Sequence, residues 1–288
     1  MSVADGKQGE AGRIATESVS GRREGATGPS PTSTVGDEIA RRSLDWIVPD
    51  WPAPPNVHAL FTTRNGGFSA GLCSSMNLGN PRFDEPGAVA RNRDLLREVC
   101  GVDPLYLSQT HGIGVVAADH ASLLAEGDAA IATQIGRAAT VRVADCLPAL
   151  FCDRAGTRVA AAHAGWRGLC AGVLEATVSA LQAPPAEIVA WLGPAIGAEV
   201  FEVGDEVRDA FLEREPGAGV AFVAYPGRPG KWLADLYTLA RIRLRAAGVV
   251  DVHGGGFCTL TDPTRFFSYR RDRTTGRMAA LIWLAPQA

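Results

Sequence analysis

A mixed α and β fold is what this sequence predicts, and three observations carry the prediction. Short apolar runs of strand length share the chain with amphipathic runs of helix length. The 288 residues are 46% hydrophobic, enough to bury a substantial core and too apolar for wholesale disorder. No segment repeats at a solenoid period.

The elements follow in order. Residues 1–45 are rich in Gly, Ser, Thr, Glu and Arg and poor in large apolar residues, so a disordered tail is expected there. Order is expected from Leu44-Asp45-Trp46, with residues 46–288 forming one domain. Residues 57–63 (VHALFTT) spell a strand bounded by the turn Asn65-Gly66-Gly67. Residues 85–99 place Val89, Leu95, Leu96 and Val99 roughly on one helical face. Short strands are expected near residues 105–107, 115–117, 129–133 and 140–143, and two central ones at 147–152 and 158–163. Residues 169–181 read as a helix stopped by Pro184-Pro185, and 188–192 as a strand. Residues 204–214 and 233–247 read as helices, the second ending at Gly248. Residues 266–270 and 278–284 read as a closing hairpin around Thr275-Gly276.

Composition excludes several classes. Lys and Arg number 28 against 31 Asp and Glu, a formal net charge of −3, so nothing drives the chain globally toward nucleic acid or an anionic membrane. No apolar run approaches the roughly 20 residues of a membrane span, and the N-terminus carries no apolar signal core. The six cysteines form no CxxC pair and are too sparse for a disulfide framework, so a cytoplasmic location is expected. A Walker A motif, a strand-borne G-x-G-x-x-G, a G-x-S-x-G elbow and the H-x-E with P-C-x-x-C deaminase signature are all absent. A multicopper oxidase needs about ten histidines for its coppers. This chain has five, with no H-x-H pair.

The chemistry gathers at predicted strand ends. His111 lies in Gln109-Thr110-His111-Gly112, Cys146 in Ala144-Asp145-Cys146-Leu147-Pro148, and His163 in His163-Ala164-Gly165-Trp166-Arg167-Gly168. A His/Cys/His set gives three ligands to a tetrahedral ion and leaves the fourth position open, the pattern of catalytic zinc. Spacings of 35 and 17 residues carry no specificity alone. The same residues fit a metal-free thiolate nucleophile, Cys146, with His111 or His163 as base and Asp145 as orienter. They also fit a buried small hydrophobe and a hydrogen-bonded core histidine. Gly165 and Gly168 before a helix, with the fork of Arg167, suit an anion, and Arg64 in the turn after the first strand is a second candidate clamp. Arg167 fits equally the bland role of capping local carbonyls, and Arg64 by itself fits a solvated turn residue better than a clamp. The basic run Tyr269-Arg270-Arg271-Asp272-Arg273 reads as a solvated face.

Seven motifs in order bear a family resemblance: residues 61–69 (FTTRNGGFS), 76–79 (MNLG), 109–112 (QTHG), 144–148 (ADCLP), 163–168 (HAGWRG), 191–194 (WLGP) and 267–271 (FSYRR). Over residues 45–288 the chain resembles the YfiH family of bacterial zinc-dependent purine nucleoside phosphorylases, whose members have also been called polyphenol oxidase laccases and peptidoglycan editing factors. The resemblance implies a single α+β domain in an α/β/β/α arrangement of mixed sheets and helices, like a cysteine-hydrolase fold. It implies Zn2+ on His111, Cys146 and His163, with Cu2+ able to occupy the same ligands in vitro. The implied reactions are phosphorolysis of adenosine, inosine, guanosine and S-methyl-5'-thioadenosine, and deamination of adenosine. Within that frame Arg64 and Arg167 are expected to hold phosphate, Asn77 base or ribose, and Asp145 to orient a ligand or exchange a proton with the purine. The editing label implies instead hydrolysis of a cell-wall precursor by Cys146 or metal-bound water. Purine nucleosides and phosphate are the expected partners of a monomer, with no nucleic acid and no membrane.

Overall fold

The computed structural model describes residues 34–286 other than Leu123. Strands β1 (Val57–Phe61), β2 (Asp103–Leu105), β3 (Val115–Ala117), β4 (Ala129–Ala132), β5 (Arg137–Val143), β6 (Leu147–Asp153) and β7 (Val159–Ala164) fill the first half of the fold. Strands β8 (Ile188–Leu192), β9 (Glu202–Gly204), β10 (Phe222–Ala224), β11 (Lys231–Ala234), β12 (Asp251–Gly254) and β13 (Met278–Leu284) follow. Between them lie helices α1 (Val35–Arg41), α2 (Ala88–Cys100), α3 (Trp166–Ala171), α4 (Val173–Ala180), α5 (Asp205–Arg214), α6 (Leu236–Ala246) and α7 (Tyr269–Asp272).

Alternation along the strands sorts the core into layers, because successive strand side chains point to opposite faces. In β13, Met278, Ala280, Ile282 and Leu284 share one core with Val189 and Trp191 of β8, while Ala279, Leu281 and Trp283 meet Leu96 and Val99 of α2. In β6, Leu150 and Cys152 enter the core between the sheets, while Leu147, Ala149 and Phe151 pack with α3 to α6. The result is four layers: α1 and α2, a four-stranded sheet of order β1-β13-β5-β2, a six-stranded sheet of order β12-β8-β6-β7-β4-β3, and α3 to α6. Both large sheets mix parallel and antiparallel pairs. This is the expected α+β class, and β6, β7, β8 and β13 are buried at every residue because both their faces are covered.

Four expectations are corrected. Residues 34–45 are not tail: Thr34 and Asp37 form a capping box that starts α1, Ile39 is buried, and Arg42 reaches Glu98 of α2. Residues 1–33 lie outside the described residues. The helix expected over 169–181 is two helices, α3 and α4, parted at Gly172, whose φ of 110° no continuing helix adopts. The start of the helix expected over 233–247 belongs to β11, since Asp235 caps α6 by accepting from the amides of Tyr237 and Thr238. There is no closing hairpin. Phe266 and Phe267 are fully buried core residues, Ser268 caps the short α7, and β13 pairs with β1 and β5. The small sheet β10-β11-β9, and β12 at the edge of the six-stranded sheet, carried no expectation.

Candidate metal centre and its cleft

His163, one residue before the end of β7, lies on the face that Val159 and Ala161 give to the core between the sheets. β7 pairs with β4 so that Ala129 faces Ala162, which brings the preceding Asp128 opposite His163. The His163 amide donates to the Asp128 carbonyl at 2.7 Å, and its Nδ1 meets Asp128 Oδ1 at 2.8 Å. The carboxylate only accepts, so Nδ1 carries the proton and Nε2 is left for the site. The fully buried Asp128 also receives the backbone amides of Thr110 (3.0 Å), His111 (3.0 Å) and Gly112 (2.7 Å). Burial alone would raise its pKa, but the hydrogen bonds from His163 and Gly112 outweigh that and hold it at about 2.

Those three converging amides explain the backbone of His111, which adopts a left-handed φ of 62°. Gln109 fixes the same loop from the other side. Its amide donates to the Arg142 carbonyl and accepts from the Arg142 amide, each at 2.9 Å, as a backbone strand would. Cys146 sits where the chain leaves β5 of one sheet and enters β6 of the other. The corner turns at Asp145, with φ 86°.

The three ligand atoms of His111, Cys146 and His163 lie within 4.8 Å of one another. Cys146 Sγ is 3.8 Å from His111 Nε2. Tetrahedral zinc with ordinary bond lengths would separate such a sulfur and nitrogen by about 3.6 Å, so this spacing fits a metal. Charge fits too. Burial would raise the Cys146 thiol, but His163 and the hydrogen bonds from both imidazoles outweigh it and bring it down to about 6. Burial would lower His163, yet Cys146 and Asp128 together lift it to about 9. A cation replacing the shared proton finds a thiolate and an oriented imidazole in place. His163 is buried, Cys146 half-buried and His111 exposed, so the centre is open on one side.

The glycines of residues 163–168 allow a close approach to this loop. A Cβ on Gly165 would lie 2.8 Å from His111 Cδ2 and 3.1 Å from Cys146 Sγ, and one on Gly168 would lie 2.8 Å from the Gly112 carbonyl. Arg167 is exposed, its guanidinium 4.4 Å over the Trp166 ring.

The open side faces a cleft of about 580 Å³ lined by His111, Cys146 and His163 together with Gln109, Arg142, Tyr269 and Arg277. Four sequence candidates do not line it. Asp145 accepts from Thr259 Oγ1 (2.6 Å) and the Arg270 amide (2.7 Å), one bond on each carboxylate oxygen. Arg64 donates to the carbonyls of Ser74 and Pro263 and stacks on Phe267. Asn77 is buried, donating to Asp84 and accepting from the amides of Gly79 and Arg277. Arg167 is the fourth. The sequence reading missed Asp128, since only the β4–β7 register places it against His163. It also missed Arg142 and Arg277, which no local motif distinguishes from other strand arginines.

Fold and centre together define an α+β protein with a His/Cys/His site open to a cleft. A family described as multi-copper polyphenol oxidoreductase laccase matches residues 58–285. A purine nucleoside phosphorylase of Pseudomonas aeruginosa is 56% identical over 239 residues, covering 83% of this chain and 98% of its own. The Escherichia coli purine nucleoside phosphorylase YfiH is 51% identical over 243 residues, covering 83% and 98%. The crystal structure of a Neisseria meningitidis protein superposes with a TM-score of 0.81 at 51% identity, covering 84% of this chain and all of that one. The chain belongs to this family, the YfiH family. Its five histidines and one three-ligand group among the described residues do not supply the ligands of several coppers.

Proposed function

We propose that this protein is a purine nucleoside phosphorylase acting on adenosine, inosine, guanosine and S-methyl-5'-thioadenosine, with adenosine deaminase activity, at a zinc site formed by His111, Cys146 and His163. The observation that carries the reading is the half-open His/Cys/His group at the wall of a nucleoside-sized cleft with no carboxylate in its lining. The naming of relatives at 56% and 51% identity supports it. Zinc, when bound, supplies a Lewis acid and a water acidified toward neutrality. In phosphorolysis the bond from the purine nitrogen to C1′ breaks, a phosphate oxygen bonds to C1′, and the leaving base takes a proton. Asp128 contributes by fixing His163 and the His111 loop, and Asp145 by holding the corner that presents Cys146. Both Asp145 oxygens are engaged, so we give it no proton-transfer role.

The test is product analysis with adenosine, with and without phosphate, on metal-analysed protein. Phosphate-dependent adenine is the expected result, with inosine as the deaminase product. Neither product from zinc-loaded protein overturns the reading. A second reading, hydrolysis of a peptidoglycan precursor by a Cys146 thiolate, draws on the 3.8 Å approach of Sγ to His111 Nε2. It predicts turnover of a cell-wall precursor that survives chelation of the metal.

A further inference from the structure

The wall of the cleft beside the centre carries positive charge with no ion-pair partner among the described residues. Arg142 and Arg277 both line it, and no aspartate or glutamate does. Arg142 packs with Arg93 around the ring of Tyr106, at 5.9 and 4.4 Å from its centroid. Among the described residues no ion pair involves Arg93, Arg142 or Arg277. Three neighbouring guanidiniums thus stand without a carboxylate at ion-pair distance in a chain that has more acids than bases. The cost shows in Arg142: burial first, then repulsion from Arg93 and Arg277, brings it down to about 10.

The arginines are held by neutral groups and keep donors to spare. Arg142 donates to the Leu107 carbonyl at 2.6 Å and at long range to that of Leu78, while its buried Nε has no partner. Arg277 spends one nitrogen on the carbonyls of Thr275 and Gly276. Carbonyl contacts fix a guanidinium without cancelling its charge, and burial near unpaired cations is costly unless an anion completes the site. Gln109 ties the Arg142 backbone directly to the His111 loop, so this charge is fixed relative to the candidate metal ligands. A phosphate dianion matches it, because guanidinium forks grip phosphate through paired hydrogen bonds.

We propose that Arg142 and Arg277 form the phosphate subsite of this cleft, with Arg93 reinforcing it from behind, in place of Arg64 and Arg167. That the phosphate is the co-substrate rests on the phosphorylase reading; that the subsite takes a phosphate group does not. The phosphate belongs either to inorganic phosphate or to a nucleotide entering the same cleft, and the test separates the two.

Inorganic phosphate is titrated calorimetrically into zinc-loaded wild type, Arg142→Gln, Arg277→Gln and the milder Arg142→Lys, with circular dichroism and zinc content confirming each fold. Adenosine and adenosine 5'-monophosphate are titrated in parallel, and KM for phosphate is measured wherever adenine is released. Phosphate affinity falling tenfold or more in both Gln variants, with zinc content and adenosine affinity unchanged, supports the subsite. So does a tenfold rise in KM for phosphate at little-changed KM for adenosine. If the monophosphate binds wild type more tightly than adenosine and loses that advantage in the variants, the subsite serves a substrate phosphate. Phosphate binding without any adenine release defeats the phosphorylase reading and leaves the subsite standing. Wild type and well-folded variants that bind phosphate equally, or no phosphate or monophosphate preference in wild type, overturn the subsite.

Discussion

One carboxylate holds two of the three candidate metal ligands. Asp128 fixes the ring of His163 and gathers the amides that turn the His111 loop. Asp128→Asn keeps the shape but gives up charge and acceptors, and replacing such a partner of a metal-bound histidine typically costs 10–100-fold in metal affinity. A loss of that size is expected in competition with a chelating dye, together with about 1–3 kcal/mol of stability from donors left unsatisfied, read from a urea titration. Gly165→Ala is expected to act more locally. The added methyl meets His111 and Cys146 in the centre itself, so metal content and turnover should fall while far-UV circular dichroism stays unchanged. Full metal loading of that variant would show that the loop has more room than its contacts indicate.

At the scale of elements, α1 is the clearest case of a piece held by charge. Glu38 is buried and takes both Arg41 and Arg42, and these hydrogen bonds hold its carboxyl at about 2, well below the usual value. A depressed carboxyl stabilises the fold fully above its unfolded pKa, about 4.5, and loses that contribution as pH falls toward about 2. Protection from hydrogen exchange across residues 35–41, with the pH-dependent intrinsic rate divided out, is expected to fall over that acid window in wild type. In Glu38→Gln protection is expected to be lower at neutral pH and flat across the window. The same helix shows what a sequence can and cannot disclose. Its capping box, Thr34 to Asp37, is a local signal legible in the chain, but composition drew residues 34–45 into the tail because a seven-residue helix with one buried isoleucine has little apolar content. Strands β3 and β8 were legible to the residue because a glycine bounds each apolar run, Gly114 before β3 and Gly193 after β8. The 266–270 segment was misread as strand because Phe266 and Phe267 look the same in sequence whether they form ladder bonds or plug a core. Ligands followed within two residues by a glycine or proline could be nominated from sequence. Asp128, Arg142 and Arg277 act through sheet register and long-range packing, which no window of sequence contains.

Across the whole molecule, metal binding and folding are linked. A ligand that binds only the native state stabilises it by about 2.7 kcal/mol at a hundredfold excess over its Kd. Zinc is therefore expected to raise the unfolding midpoint of the apo-protein, measured by calorimetry at fixed protein concentration, and Cys146→Ser to abolish most of the rise. Among the described residues no helix is long and apolar enough to cross a membrane.

Cys146 occupies the crossing from the four-stranded to the six-stranded sheet, while His163 is built into the latter alone. An ion held by both is a rivet through the seam of the two sheets, and its coordination geometry becomes a gauge of how they are seated. Cobalt(II) makes that gauge visible, since its absorption bands follow small changes in ligand angle. Shaving the shared core with Ile282→Val should move those bands, whereas Leu239→Ala, spent wholly in the outer helical layer, should lower stability and leave the colour alone.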